Sequence, residues 1–312
     1  SSRPATLDPP RPAGFPPCQW ARDDQDDPPL AFPDPLAPSD PMSDHSPARL
    51  KILTFNLRYA HAADGANAWP NRRAAVKQVL IDHDPDLVLL QEAVQIQVET
   101  VCEALPGHLA VGSGRGDGRD DGEFVPILIR ASRFRLETAR TFWLSETPDQ
   151  PGSISRSWGN HLPRIAVEAR LVDRVGGRRW IVGNLHLDHD SAEARRRGLD
   201  LAVARLTASA VATGDPRALL LMGGDFNAPT EDNALRRHLG EGFIDLVTAT
   251  NPTLASVGTR HDFRGQGGPR IDQLWLRGGE FAPLASGIDT RLVLDRMPSD
   301  HHPVWAVIET AR

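Results

Sequence analysis

The stretch LLLMGGDFNAPT (219–230) begins as a buried strand and ends in polar groups. Four aliphatic residues, Leu219 to Met222, run into Gly223 and Gly224, and Asp225, Phe226 and Asn227 follow. In an extended segment residues i and i+2 point to one side, so Asp225 and Asn227 are expected to project together. The two glycines leave room for something to approach the backbone. An ordinary Asp/Asn turn closed by Pro229 would give the same letters. The rest of the chain decides between a site and a turn.

Working outward, other predicted strands also meet polar residues at their ends. LKILTFNLR (50–58) carries Asn56, and DLVLLQE (86–92) ends in Glu92. RRWIVGNLHL (178–187) delivers His186, with Asp188 and His189 just beyond. RIDQLWLRG (270–278) holds Asp272, and SDHH (299–302) leads into HPVWAVIE (302–309). Two further strands are read at FVPILIR (124–130) and RIAVEARLV (164–172). Helical spacing marks 71–83, 96–105 and 191–212, and GSGRGDGRDDGE (112–123) reads as a polar, Gly-rich loop or hairpin. Polar groups from many strand ends converge when the strands share a sheet edge, which is where active sites form. The pattern therefore implies one site in an α/β fold.

The 312 residues, 40% hydrophobic and 24% charged, suit a soluble globular protein of one large or two small domains. Residues 1–48 hold 13 of the 27 prolines and the acidic run DDQDD. Such a segment buries too little apolar surface to offset its ordering entropy, so it reads as a disordered tail, with a catalytic domain over 49–312. A net charge of −6 gives no broad basic field for nucleic acid or an anionic membrane. Nucleic acid is thus a possible but disfavoured partner, and the chain is expected to be a monomer. Cys18 and Cys102 form neither a framework nor a metal cluster, and no bridge between them is expected because Cys18 falls in the tail. No apolar run is long enough to span a membrane. A cytoplasmic location is the default, or a secreted one if a leader has been removed.

The convergent residues are Glu, Asp, Asn and His, without thiolates, which suits Mg²⁺ or Mn²⁺. Zinc held through HLDH (186–189) is the competitor, although no HExxH helix supports it. Neither a G-x-S-x-G elbow nor a GxxxxGK[ST] loop is present, against an esterase of the hydrolase fold and an ATP-driven engine. Metal-assisted attack of water on phosphorus fits the set.

Six motifs, TFNLR (54–58), LLQEA (89–93), GNLHLDH (183–189), GGDFNAP (223–229), RIDQLW (270–275) and SDHHPV (299–304), resemble in order those of the endonuclease/exonuclease/phosphatase superfamily, the DNase I-like phosphoesterases. NAWPNRR (67–73), GEF (122–124) and TFWLSETP (141–148) further resemble a bacterial branch of mostly unassigned substrate. The resemblance implies a four-layer α/β sandwich of two packed, mostly antiparallel sheets flanked by helices. It implies Glu92 as main metal ligand with Asn56 beside it and Asp300 completing the cation site. It implies Asp225 as the group that positions or activates water, Asn227 as a phosphate ligand and His186 as a donor to the phosphoryl group. His301 would be a second donor, oriented by Asp272. Arg58 stands where some nuclease members carry a carboxylate, which argues against a second metal there.

Outside those motif roles, Arg58, Arg164 and His189 are candidate phosphate contacts, the arginines because a planar guanidinium fits phosphate bidentately. Glu123 reads as a turn residue, NRR and ARRRG as solvated helix faces, and Trp69, Trp143 and Trp158 as packing. The expected function is a divalent-metal phosphoesterase acting on a small phosphorylated metabolite, sugar or lipid headgroup. The alternatives are a DNA or RNA nuclease and a catalytically silent binding module.

Overall fold

The structure, a computed structural model, describes residues 19–21, 48–240 and 242–310. Seven strands form one sheet: β1 (Gln19–Ala21), β2 (Ala48–Asn56), β3 (Leu87–Gln91), β4 (His108–Val111), β5 (Ile127–Arg130), β12 (Phe281–Ile288) and β13 (Val304–Thr310). Their spatial order is β1-β4-β5-β3-β2-β13-β12. Six form the other: β6 (Phe134–Trp143), β7 (Ile165–Asp173), β8 (Arg179–His186), β9 (Leu219–Asp225), β10 (Ile244–Asp245) and β11 (Asp272–Gly278), in the order β10-β11-β9-β8-β7-β6. Pairing is antiparallel except for β1–β4, β2–β3 and β8–β9. Parallel neighbours need a crossover. Helices α1 (Trp69–His83) and α3 (Ala192–Ala212) supply it for β2–β3 and β8–β9.

Alternation along the strands builds the layers. Leu50 and Ile52 of β2 meet Leu219 and Leu221 of β9 in the core between the sheets. Leu53 and Phe55 turn outward under α1 and α2 (Gln95–Ala104). Leu220 and Met222 likewise turn outward under α3. Strands covered on both faces read as continuous apolar runs, which is why 219–222 shows no polar alternation. Two short helices complete the fold: α4 (Asn233–Leu239) packs on α3, and α5 (Leu246–Thr250) lies between β12 of the first sheet and β11 of the second. The result is the four-layer α/β sandwich implied by the motifs. No helix among the described residues is long and apolar enough to cross a membrane.

The glycines of the opening stretch serve the sandwich itself. A Cβ on Gly224, whose φ is +133°, would lie 2.0 Å from the carbonyl oxygen of Leu185 on the next strand. At Gly223 it would meet Leu89 and Leu274 at 2.6 and 2.8 Å. What approaches the backbone is therefore the neighbouring protein, and no ligand is needed to explain the pair.

Several sequence expectations change. Strands β4, β6 and β12 and helices α4 and α5 are not among the elements expected from the sequence. β12 contains Pro283 and escapes the strand pattern, yet it is an edge strand whose register shifts between Pro283 and Ala285. Most of the tail expected over 1–48 lies outside the described residues, but within it Gln19–Ala21 pair with β4. Cys102 is disulfide-bonded, which corrects the expectation of no bridge; the chain's other cysteine, Cys18, lies outside the described residues.

Candidate active site

Strand register brings the polar ends to one rim. Asn56 is opposite Gln91, His186 opposite Asp225, and Asp225 opposite Asp272. β13 runs antiparallel to β2, so the segment before it arrives at the end of β2, where Ser299 Oγ donates to the Asn56 carbonyl at 2.7 Å. Beneath the rim the sheets are bolted together by amides. Asn184 of β8 donates to Leu90 O and Pro126 O at 2.7 and 2.9 Å and accepts from Gln91 Nε2 at 2.7 Å.

The rim encloses a cavity of about 370 Å³ lined by Glu92, His186, Asp225, Asn227, Asp300 and His301. Arg58, Arg164 and His189 also reach its wall. Asn56 and Asp272 stand behind the lining. Asn56 Nδ2 donates to Glu92 Oε1 at 3.1 Å and to Asp225 Oδ2 at 3.0 Å, while its Oδ1 accepts the Arg58 N–H at 2.9 Å. It therefore braces two carboxylates.

Three lining residues are left-handed: Arg58 at φ 56°, Glu92 at 53° and Asn227 at 48°. Each costs on the order of 1 kcal/mol or more and persists only where its surroundings over-determine it. For Arg58 the surroundings are Arg72 of α1, whose guanidinium donates to the carbonyls of Leu57, Arg58, Asn67 and Pro298, and Gln97, which also donates to Arg58 O. Arg72 is 1% exposed, so NRR is no solvated face at that position. The buried guanidinium ties the loop after β2 to the loop before β13. Asp225 and Asn227 do not project together by strand alternation, contrary to the sequence expectation. β9 stops at Asp225, and Asn227 reaches the cavity through its left-handed turn, with the Asn227 N–H donating to Asp225 Oδ1 at 2.8 Å.

The two histidines differ in charge. His301 Nδ1 lies 2.8 Å from Asp272 Oδ2. Burial alone would lower its pKa, but the Asp272 charge and hydrogen bond win and raise it to about 10, so the ring is an imidazolium at neutral pH. His186 is held well below its ordinary value, first by burial and then by Arg164 and Arg115, so it is neutral. Arg164 Nη1 sits 3.2 Å from the His186 ring nitrogens and Nη2 2.5 Å from His189 Nδ1. A guanidinium can only donate, so His189 Nδ1 accepts, while Nη1, equidistant from both His186 nitrogens, lies over the face of that ring. Arg164, expected as a phosphate contact, has its terminal nitrogens turned to these rings.

Carboxylates diverge similarly. Burial and the neighbouring Asp272 push Asp225 up to about 7. Burial raises Asp300. Glu92 also feels burial, yet His301, Asn56 and the Tyr59 N–H together lower it. Glu92, His186 and Asp225 each present a ligand atom within 4.8 Å of the others.

Some neighbours lie elsewhere. Asp188 accepts from the Asp190 and Ser191 N–H groups and from Asn160, beside the start of α3. His302 stacks on His261 with ring centroids 4.0 Å apart. Trp69, Trp143 and Trp158 are buried in packing. Glu123 and Arg115 do line the cavity, the first read as a turn residue and the second unread.

A sequence model of the endonuclease/exonuclease/phosphatase family matches residues 53–301. An endonuclease/exonuclease/phosphatase from Bacteroides vulgatus is 27% identical with a TM-score of 0.75, covering 84% of this chain and 99% of that one. A mannosyl-6-phosphatase from Bacteroides thetaiotaomicron is 29% identical with a TM-score of 0.72, covering 83% and 99%. D. rerio TDP2, solved with a single-strand DNA product, shares the fold at 17% identity and a TM-score of 0.66, covering 84% and 100%. With a matched segment that spans well over half its length, the chain belongs to the endonuclease/exonuclease/phosphatase family.

Proposed function

We propose that the protein is a divalent-metal-dependent hydrolase of a phosphoester carried by a small molecule. The observation that carries this is the convergence of Glu92, His186, Asp225, Asp300 and His301 on one cavity of about 370 Å³. That volume suits a small ligand. The similarity to a mannosyl-6-phosphatase supports the same reading.

The donor set fits a hard divalent cation. Three carboxylates, Glu92, Asp225 and Asp300, share the cavity wall, and burial opposes the charge on each. Glu92 and His186 would hold the ion, with Asp300 beside them and Asn56 fixing Glu92 and Asp225. When bound, Mg²⁺ or Mn²⁺ supplies a Lewis acid for phosphoryl and leaving oxygens. The chain does the rest. Asp225, pushed toward neutrality, takes the proton of the attacking water. The His301 imidazolium donates to the non-bridging oxygens as their charge grows, its ring fixed by Asp272. Asn227 lines the same wall and supplies a further polar contact for the phosphoryl group.

Hydrolysis of p-nitrophenyl phosphate and bis-p-nitrophenyl phosphate is measured with Mg²⁺, Mn²⁺ or EDTA, beside nicking of plasmid DNA. Chelator-sensitive release from a small ester without nicking is expected. Nicking that disappears in Glu92→Ala would replace this reading with a nuclease, and silence on all three would reject it.

A further inference from the structure

Two residues of the cavity wall touch none of the reacting atoms named above, although the Arg115 charge also lowers the His186 pKa. Arg115 and Glu123 stand near the two ends of the 112–123 loop and pair through both oxygens, Nη1 to Oε2 and Nη2 to Oε1 each at 2.9 Å. Their side chains are only 16% and 14% exposed. The loop is braced to present them. The Arg115 N–H donates to Glu123 O at 3.0 Å, and Trp143 Nε1 donates to Arg115 O at 2.7 Å. Gly114 and Gly116 lie so close to Asp121 that a Cβ would approach it to 2.3 and 2.0 Å. A loose surface ion pair has no such frame.

Position and chemistry narrow what the pair can meet. Glu123 Oε2 is 3.9 Å from His186 Nδ1, so the pair adjoins the reaction centre. A bidentate pair leaves further N–H groups on the guanidinium and further lone pairs on the carboxylate. Donor and acceptor thus stand side by side, which matches a hydroxyl, itself both donor and acceptor. An aryl or alkyl carrier would leave them unanswered. Stacking platforms for a nucleobase are scarce: Tyr59 is the one Phe, Tyr or Trp among the lining residues.

We infer that Arg115 and Glu123 form a subsite that reads carrier hydroxyls next to the phosphoryl group, so that the substrate is a phosphorylated sugar or polyol. This inference rests on the phosphoesterase reading. The loss expected on removing a charged hydrogen-bond partner is large enough to measure.

The test compares kcat/KM for mannose 6-phosphate and glycerol 3-phosphate with that for p-nitrophenyl phosphate, in the Mn²⁺-loaded wild type, Glu123→Gln and Arg115→Gln. The expected result is a wild-type preference for the hydroxylated esters that falls roughly tenfold or more in each variant, mainly through KM. Glu123→Asp should recover part of it. Glu123→Gln is isosteric and decides alone if Arg115→Gln does not fold. A preference that stays within about twofold in the variants overturns the subsite. So does a wild type that cleaves p-nitrophenyl phosphate but neither hydroxylated ester, a result that leaves the phosphoesterase reading standing. Failure to cleave any of the three sinks both.

Discussion

His301 Nδ1 and Asp272 Oδ2 lie 2.8 Å apart across 29 residues of sequence, and both side chains are buried. On the other side of the cavity His186 is backed by Arg164 instead of a carboxylate. One site thus holds an imidazolium set by the carboxylate behind it and a neutral imidazole set by burial and then by Arg164.

Asp272→Asn should remove the charge that keeps His301 protonated while preserving shape. Losses of about 10–100-fold are typical when a partner that orients a functional histidine is lost. We expect kcat toward p-nitrophenyl phosphate to fall by at least that with the circular dichroism spectrum unchanged. A variant with wild-type kcat would remove His301 from the chemistry.

The same pair predicts a pH dependence of folding. Folded His301 keeps its proton to about pH 10, against 6.5 for an unperturbed ring. Its stabilising contribution is fully present below about 6.5 and is lost as pH rises through the folded value. The melting temperature of metal-free protein should therefore fall between pH 7 and 10, and His301→Gln should flatten that fall. An equal slope in both proteins would contradict the assignment.

Arg72→Met strips the buried loop carbonyls of Leu57 and Pro298 of a guanidinium donor. An unsatisfied buried group costs about 1–3 kcal/mol, so urea unfolding should show a loss of about 3 kcal/mol or more. Amides of the segments after β2 and before β13 should exchange faster together. A loss below about 1 kcal/mol would show that the clamp is idle.

Cation binding is checked by heat as well as by turnover. At a hundredfold excess over Kd, a ligand of the native state adds about 2.7 kcal/mol. For a domain of this size that corresponds to a rise of roughly 5 °C or more. Mn²⁺ should produce it in the wild type and not in Glu92→Ala, and an equal rise in both would place the ion elsewhere.

The sandwich and most of the cavity lining were legible because strand ends are visible in one dimension. An apolar run that stops at Asn56, Glu92, His186 or Asp225 announces its direction and its rim. Edge elements were not legible. β6 carries Arg135, Glu137 and Arg140 on a partly exposed face, and β12 carries a proline. Long-range partners were hidden too. Arg72 reads as a helix-surface cation until the fold brings Pro298, 226 residues away, against it. Arg115 is one arginine in a polar loop until Glu123 returns beside it. Gly224 reads as space for a ligand until β8 fills that space.

β13, which is the final described strand, is inserted between β2 and β12, inside the sheet that β2 helps to begin. Its approach also delivers Asp300 and His301. On the ribosome, then, Glu92, His186 and Asp225 emerge long before the imidazolium that completes their cavity. A nascent chain stalled before Ser299 would carry Glu92, His186 and Asp225 without it, and β2 would keep an open edge until β13 has left the ribosome. Chaperone occupancy of stalled chains should therefore persist until Thr310 has emerged.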